Sequence, residues 1–172
     1  MHFPRRTTLP ADVATRLGTD RGERPLAWAQ CREGGWLVGT ARALYMEVGQ
    51  GFQRLGWEQI ERAEWHRDES LLAVVEVQSD QSAEVRHEFG ISDSDRFLEL
   101  LRERVTKSVV CSVYSPLAGK AGLSVIGRRS PVGQGPVTWS YVYSVGVDRQ
   151  DPHVIKVAEE TRRRAEAELP AD

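Results

Sequence analysis

The sequence has little of what usually announces chemistry. Its two cysteines, Cys31 and Cys111, are far apart, each in an apolar strand-like run and neither in a Cys-x-x-Cys pair. That suits two reduced thiols in the core of a cytoplasmic protein, although spacing alone does not decide whether they pair. A chain of 172 residues buries about 70% of its unfolded surface and needs no staple. No two of the four histidines, His2, His66, His87 and His153, stand at metal-ligand spacing on one element. No Gly-x-Ser-x-Gly elbow occurs, and the carboxylates are scattered among basic neighbours, as on a solvated face. Gly122 to Arg129 has the glycine spacing of a P-loop without its lysine and hydroxyl, and Val125-Ile126 inside it asks for a strand. These gaps lead to the expectation of a non-enzymatic protein with no cofactor and no metal.

No apolar run approaches the roughly 18 residues of a membrane span, so no membrane partner is expected. Arg5-Arg6-Thr7-Thr8-Leu9 faintly resembles a twin-arginine export signal, but the charged stretch Ala11 to Arg24 follows where an apolar one is required. Export is rejected on that ground and a cytoplasmic location expected. A net charge of −2 argues against general affinity for nucleic acid.

What is present is a run of short strands closed by a helix. Leu26–Cys31, Trp36–Thr40 and Ala43–Val48 are rich in β-formers, with Gly34-Gly35 and Gly49 at the turns. Phe52–Trp57 and Glu58–His66 follow. Leu71–Val77 is almost wholly apolar, as in a strand buried on both faces. In Glu84–Phe89, Val85, His87 and Phe89 share one face. The helix Asp93–Lys107 begins with Ser92 and Asp95 in a capping-box pattern. It carries Phe97, Leu98, Leu101 and Val105 in one stripe and pairs Glu103 with Lys107 on the wet side.

Leu55-Gly56-Trp57-Glu58-Gln59-Ile60, with Ala63 and Trp65, is similar to the apolar-Trp-x-x-Ile strand pattern of pleckstrin-homology-like (PH-like) domains. Together with the strand order and closing helix, Pro25 to Val109 resembles that superfamily in its bacterial form, and the whole chain resembles bacterial proteins that append a short β-rich tail. The resemblance implies an α+β protein with an antiparallel barrel of about seven strands capped by a helix. It also implies a groove between an open sheet edge and that helix, where a peptide strand could add. Phosphoinositide binding, known in eukaryotic relatives, needs a basic first hairpin. Here that turn is Arg32-Glu33-Gly34-Gly35, a departure that argues against lipid.

The remainder divides as residues 1–24, an N-terminal segment with a short helix over Pro10–Leu17, and 109–172, a three-stranded antiparallel extension with a helix. The tail strands are Val109–Tyr114, Leu123–Arg129 with Gly127 as a bulge, and Val137–Val145. Asp151-Pro152 starts a helix whose stripe is Val154, Ala158, Thr161 and Ala165. Trp139, Tyr141 and Tyr143 share a face of the last strand, with Arg128 and Arg129 nearby. These five are the candidate ligand or partner contacts. They would suit a stacking platform for single-stranded nucleic acid, or else a core packed under the last helix or against a symmetric partner in a homodimer. Packing is favoured, since 109–147 holds only three basic residues. A cluster of His66, His87 and Glu84 would instead point to a small-ligand enzyme or carrier. Arg162-Arg163-Arg164 is read as a paired surface patch, with Glu159 and Glu160 four residues before Arg163 and Arg164. The leading expectation is a PH-like module binding a protein or peptide, or itself.

Overall fold

Antiparallel hairpins set up almost every strand contact. A computed structural model describes residues 8–19, 22–78, 83–92 and 94–169. Within them the chain is α+β, with ten strands in three antiparallel sheets and three α-helices. The twin-arginine segment up to Thr7, with His2, lies outside the described residues.

The first sheet has the order β1 (Ala27–Gln30), β2 (Trp36–Gly39), β3 (Ala43–Val48), β4 (Gly51–Gly56). Gly34 and Gly35 take φ of 97° and 88° in the first turn, a region that only glycine enters without strain. The chain then turns a corner through one 3-10 turn, Trp57–Gln59, where extended structure was expected. The reason is local: the Gly56 amide donates to Gln59 Oε1 at 2.8 Å, and the buried Trp57 donates its indole N–H to the Thr40 carbonyl at 3.1 Å. The second sheet is β5 (Ile60–His66), β6 (Leu71–Glu76), β7 (Arg86–Gly90).

Both sheets share one core, with Leu37, Leu44 and Met46 from the first meeting Ile60, Leu72 and Val74 from the second. They do not close into a barrel: the ladders stay separate, and one corner is linked by a single bridge between Cys31 and Ile91. Helix α2 (Asp95–Ser108) packs on β1, β2, β5 and the 3-10 turn, burying Phe97 and Leu101 in that core. Its cap differs from the expected box. Ser94 is the N-cap, without a side-chain cap, and its hydroxyl donates to the Ser92 carbonyl at 2.8 Å; Asp93 lies outside the described residues.

Helix α1 (Ala11–Leu17) covers the outer face of the first sheet, where Leu9, Val13 and Leu17 meet Val38, Ala43 and Tyr45. Beyond the helix, Glu23 is tied to the first sheet. The Glu23 carboxylate accepts from the hydroxyls of Thr40 and Tyr45.

Strand β6 is buried on both faces. Leu72 and Val74 face the shared core, whereas Ala73 and Val75 lie beneath a lattice of charged arms. Arg62 reaches Glu61, Glu64 and Glu84 at 3.2, 3.0 and 2.8 Å, and Arg86 reaches Glu64 and Glu88 at 3.3 and 2.9 Å. The aliphatic stems shield the strand while the charged ends stay wet.

Helix α2 runs without a linker into the third sheet, whose order is β10 (Thr138–Tyr143), β9 (Gly122–Arg128), β8 (Val109–Pro116). Gly127 is not the bulge; the register slips in β8, between Val109 and Cys111. The glycine is needed for space, since a Cβ there would stand 2.8 Å from Cys111 Sγ and 3.0 Å from the Trp139 ring. Helix α3 (Pro152–Glu168) starts where Asp151 Oδ1 accepts from the His153 amide, and it buries Val154, Ala158, Thr161 and Ala165. Leu123, Val125, Val154 and Ala158 form the tail core.

Candidate functional site

The tail sheet meets the rest of the chain at one buried cation. Arg128, 4% exposed, donates to Ser140 Oγ at 2.6 Å and to the backbone carbonyl of Glu61 at 2.9 Å. It thereby ties β9 to β10 and to β5. Burial pulls its pKa down and nearby Glu61 opposes that. Its Nε has no hydrogen-bond partner. The Arg129 amide adds a bond to the Ser108 carbonyl at 2.8 Å, fixing the tail against the end of α2.

Beside this strut lies a cleft of about 720 Å³. Its floor is β10 from Ser140 to Tyr143, one wall is α3, and the other is the start of β5 with Gln78 and Glu84. Among the described residues β10 pairs with β9 alone, and its other edge faces the cleft. The Ser144 amide donates to the Gly122 carbonyl at 2.9 Å. Alternation along an antiparallel strand then turns the amide of Tyr141 away from β9, toward the cleft.

The aromatic row packs against the tail core under α3, so the chain supplies its own cover for that face. Arg162 lies over the Trp139 ring at 5.6 Å and Arg149 over the Tyr143 ring at 5.1 Å, while the Tyr141 and Tyr143 rings stack at 6.4 Å. Arg162 is also held by Glu166 at 2.8 Å, and Arg163 by Glu159 at 3.8 Å. Arg164 does not pair with Glu160 as the spacing suggested. It turns inward to donate to Ser115 Oγ, and Glu160 meets Lys156 at 4.0 Å.

Of the five residues singled out in sequence, Tyr141 and Tyr143 line the cleft; Trp139, Arg128 and Arg129 do not. His66, His87 and Glu84 do not converge, because β6 separates β5 from β7. His66 faces Glu64 at 3.7 Å, His87 Nε2 lies 2.7 Å from Glu76 Oε1 and stacks on Phe89, and Glu84 meets Arg62. The P-loop-like glycines lie inside β9 and form no loop. Cys31 and Cys111 are free thiols. Among the described residues no group of three metal-ligating side chains gathers, and no helix is long and apolar enough to cross a membrane.

Sequence reasoning missed Glu61, Arg62, Arg149 and the α3 wall. They become neighbours only when β10 docks beside β5, and no local pattern carries that information. In comparisons with protein-family models, curated proteins and solved structures, no match was found.

Proposed function

We propose that this protein is a non-enzymatic binding module that takes an extended segment of a protein partner along the open edge of β10. The observation that carries the reading is that edge itself. It is a strand with an outward amide at Tyr141, at the floor of a cleft and walled by a helix and a second sheet. Backbone pairing would supply affinity and the walls would supply selectivity. The region from β1 to α2 is read as PH-like. A four-stranded and a three-stranded sheet followed by one helix on the shared core support that reading, as does the buried Trp57–Ile60 corner. The groove used here is not beside α2 but beside α3, in the tail.

A small-ligand carrier is less favoured, because the cleft's arginines and glutamates mostly neutralise one another instead of converging on one point. A nucleic-acid platform is disfavoured by the packing of Trp139 under Arg162 and the burial of Arg128.

The test uses peptides selected by phage display on the full-length protein. Tyr141→Pro deletes an outward N–H while leaving the β9 ladder intact, a place where a strand tolerates proline. Tyr141→Ala removes the ring but keeps the N–H. Selected peptides are expected to bind the alanine variant and to lose most affinity for the proline variant. Equal binding to both, with unchanged melting temperatures, would remove the β10 edge from the account.

A further inference from the structure

Strand β8 is the other outer strand of the tail sheet, on the far side from the cleft. Natural edges are commonly blunted by charge, and the edge strands β4, β5 and β7 carry Arg54, Glu64 and Arg86. Strand β8 carries no charged residue from Val109 to Pro116. Its blunting devices stand at its two ends, the register slip between Val109 and Cys111 and the proline at 116. Among the described residues it pairs with β9 alone. The Leu117 amide donates to the Ala121 carbonyl at 2.8 Å. Alternation then turns the amides of Val113 and Ser115 toward β9 and those of Ser112 and Tyr114 outward.

The helix above this edge holds two charges that its own chain leaves unmatched. Helix α3 runs antiparallel to β8. Thr161 Oγ1 lies 2.7 Å from Ser115 Oγ, and further along the helix Glu168 is near enough to Cys111 to add to the rise that burial gives its thiol. A groove of about 530 Å³ lies between α3 and this end of β8, lined by Ser115, Pro116, Thr161 and Arg164 among others. Arg164 is exposed and reaches the Ser115 and Thr161 hydroxyls, but no carboxylate among the described residues. Glu168, also exposed, meets no cation among them.

We propose that β8 pairs antiparallel with β8 of a second copy of this chain, about a two-fold axis through Val113, so that two tail sheets join into one. The register follows from the stretch between the two blunted ends, Cys111 to Ser115, whose midpoint is Val113. In that register Ser112 and Tyr114 exchange main-chain hydrogen bonds with Tyr114 and Ser112 of the second copy, which uses the outward amides. Cys111 stands opposite Ser115 of the second copy. Glu168, above Cys111, then comes beside Arg164 of the second copy, above its Ser115, and the axis repeats the pair. An edge without charge meets itself without like-charge repulsion, and the helices above it bring unlike charges together. An isologous contact of this kind closes at two copies and does not propagate. The β10 strands become the outer strands of the joined sheet, so this interface and the peptide cleft stand or fall separately.

The experiment is sedimentation velocity of the full-length protein from about 1 to about 300 μM. The wild type is expected to pass from monomer to dimer across that range. Glu168→Arg should weaken the dimer by at least roughly tenfold. It should leave the melting temperature of the dilute monomer unchanged or raised, because a cation suits a helix C-terminus. Arg164→Glu should weaken the dimer likewise, and the double variant, which restores unlike pairs across the axis, should recover most of the loss. In a Cys111→Ser background, Val113→Cys should oxidise to a covalent dimer, since the axis sets that residue opposite itself at a Cα separation of about 4.5 Å. A wild type that stays monomeric at the highest concentration would overturn the proposal, as would a dimer that none of the charge variants alters. Two weakened single variants with no recovery in the double would overturn the register. A dimer dissolved by Tyr141→Pro and not by Glu168→Arg would overturn the proposal by moving the interface to β10.

Discussion

Sheet β1–β4 is covered on both faces, by α1 outside and by the opposing sheet and α2 inside, whereas the tail sheet β8–β10 carries a helix on one face only. On its other face Val110, Tyr114 and Val142 remain 42%, 59% and 42% exposed. The larger module is thus saturated with partners of its own. Among the described residues the tail keeps an open face and an edge without a neighbouring strand, and it owes its place to a few ties: the direct passage from α2 into β8, the Arg128 strut and the Arg129 amide. A sheet of three strands with one helix in about 60 residues is marginal by itself, so it borrows rigidity from the module it abuts. What it keeps, among the described residues, is an edge without a neighbouring strand, and the proposed strand addition rests on that edge.

The comparison breaks most visibly in the core of the larger module. Trp57→Ala should cost ~3–5 kcal/mol by chemical denaturation, because the ring is buried and its N–H satisfies the Thr40 carbonyl. A loss under about 1 kcal/mol would mean the corner is not what joins the two sheets.

Arg128→Ala should cost less, ~1.5–3 kcal/mol, yet act selectively. It orphans Ser140 and the Glu61 carbonyl and should speed amide exchange throughout β8–β10 while β2 and β3 stay protected. Equal loosening of both regions would show that the tail is not held by this strut.

The smallest perturbation is chemical. Burial pushes the Cys31 thiol up to about 11, with Glu47 and Glu33 adding to it. Burial also raises Cys111, against an opposing backbone hydrogen bond from Gly127. Thiolate is scarce at both near pH 8, so both should alkylate slowly, and Cys111 in the tail should react before Cys31. The opposite order by mass spectrometry would reverse the assignment of the tighter region.

Much of this architecture is legible locally. The stripe of Val154, Ala158, Thr161 and Ala165, the Asp151 cap, the doubly buried β6 and the glycines of the first turn all follow from short-range pattern, and all are found. Three features are not legible, for different reasons. The Trp57 corner shares its composition with a strand, and it is bent by the Gln59 bond back to Gly56 together with the Trp57 indole bond to Thr40. Arg128 in sequence is a surface cation beside an aromatic row. Its burial depends on a carbonyl 67 residues away. The cleft is a product of docking, with β5, β10 and α3 each contributing side chains that look like ordinary solvated charge when read alone.

The most direct measurement is residue-resolved amide exchange in β10, with and without a peptide selected on the full-length protein. The amides of Ser140 and Val142 face β9 and should be protected throughout. That of Tyr141 should exchange fast in the free protein and slow by at least roughly tenfold when the peptide is bound. Binding that leaves Tyr141 exchanging at its original rate would contradict strand addition at this edge.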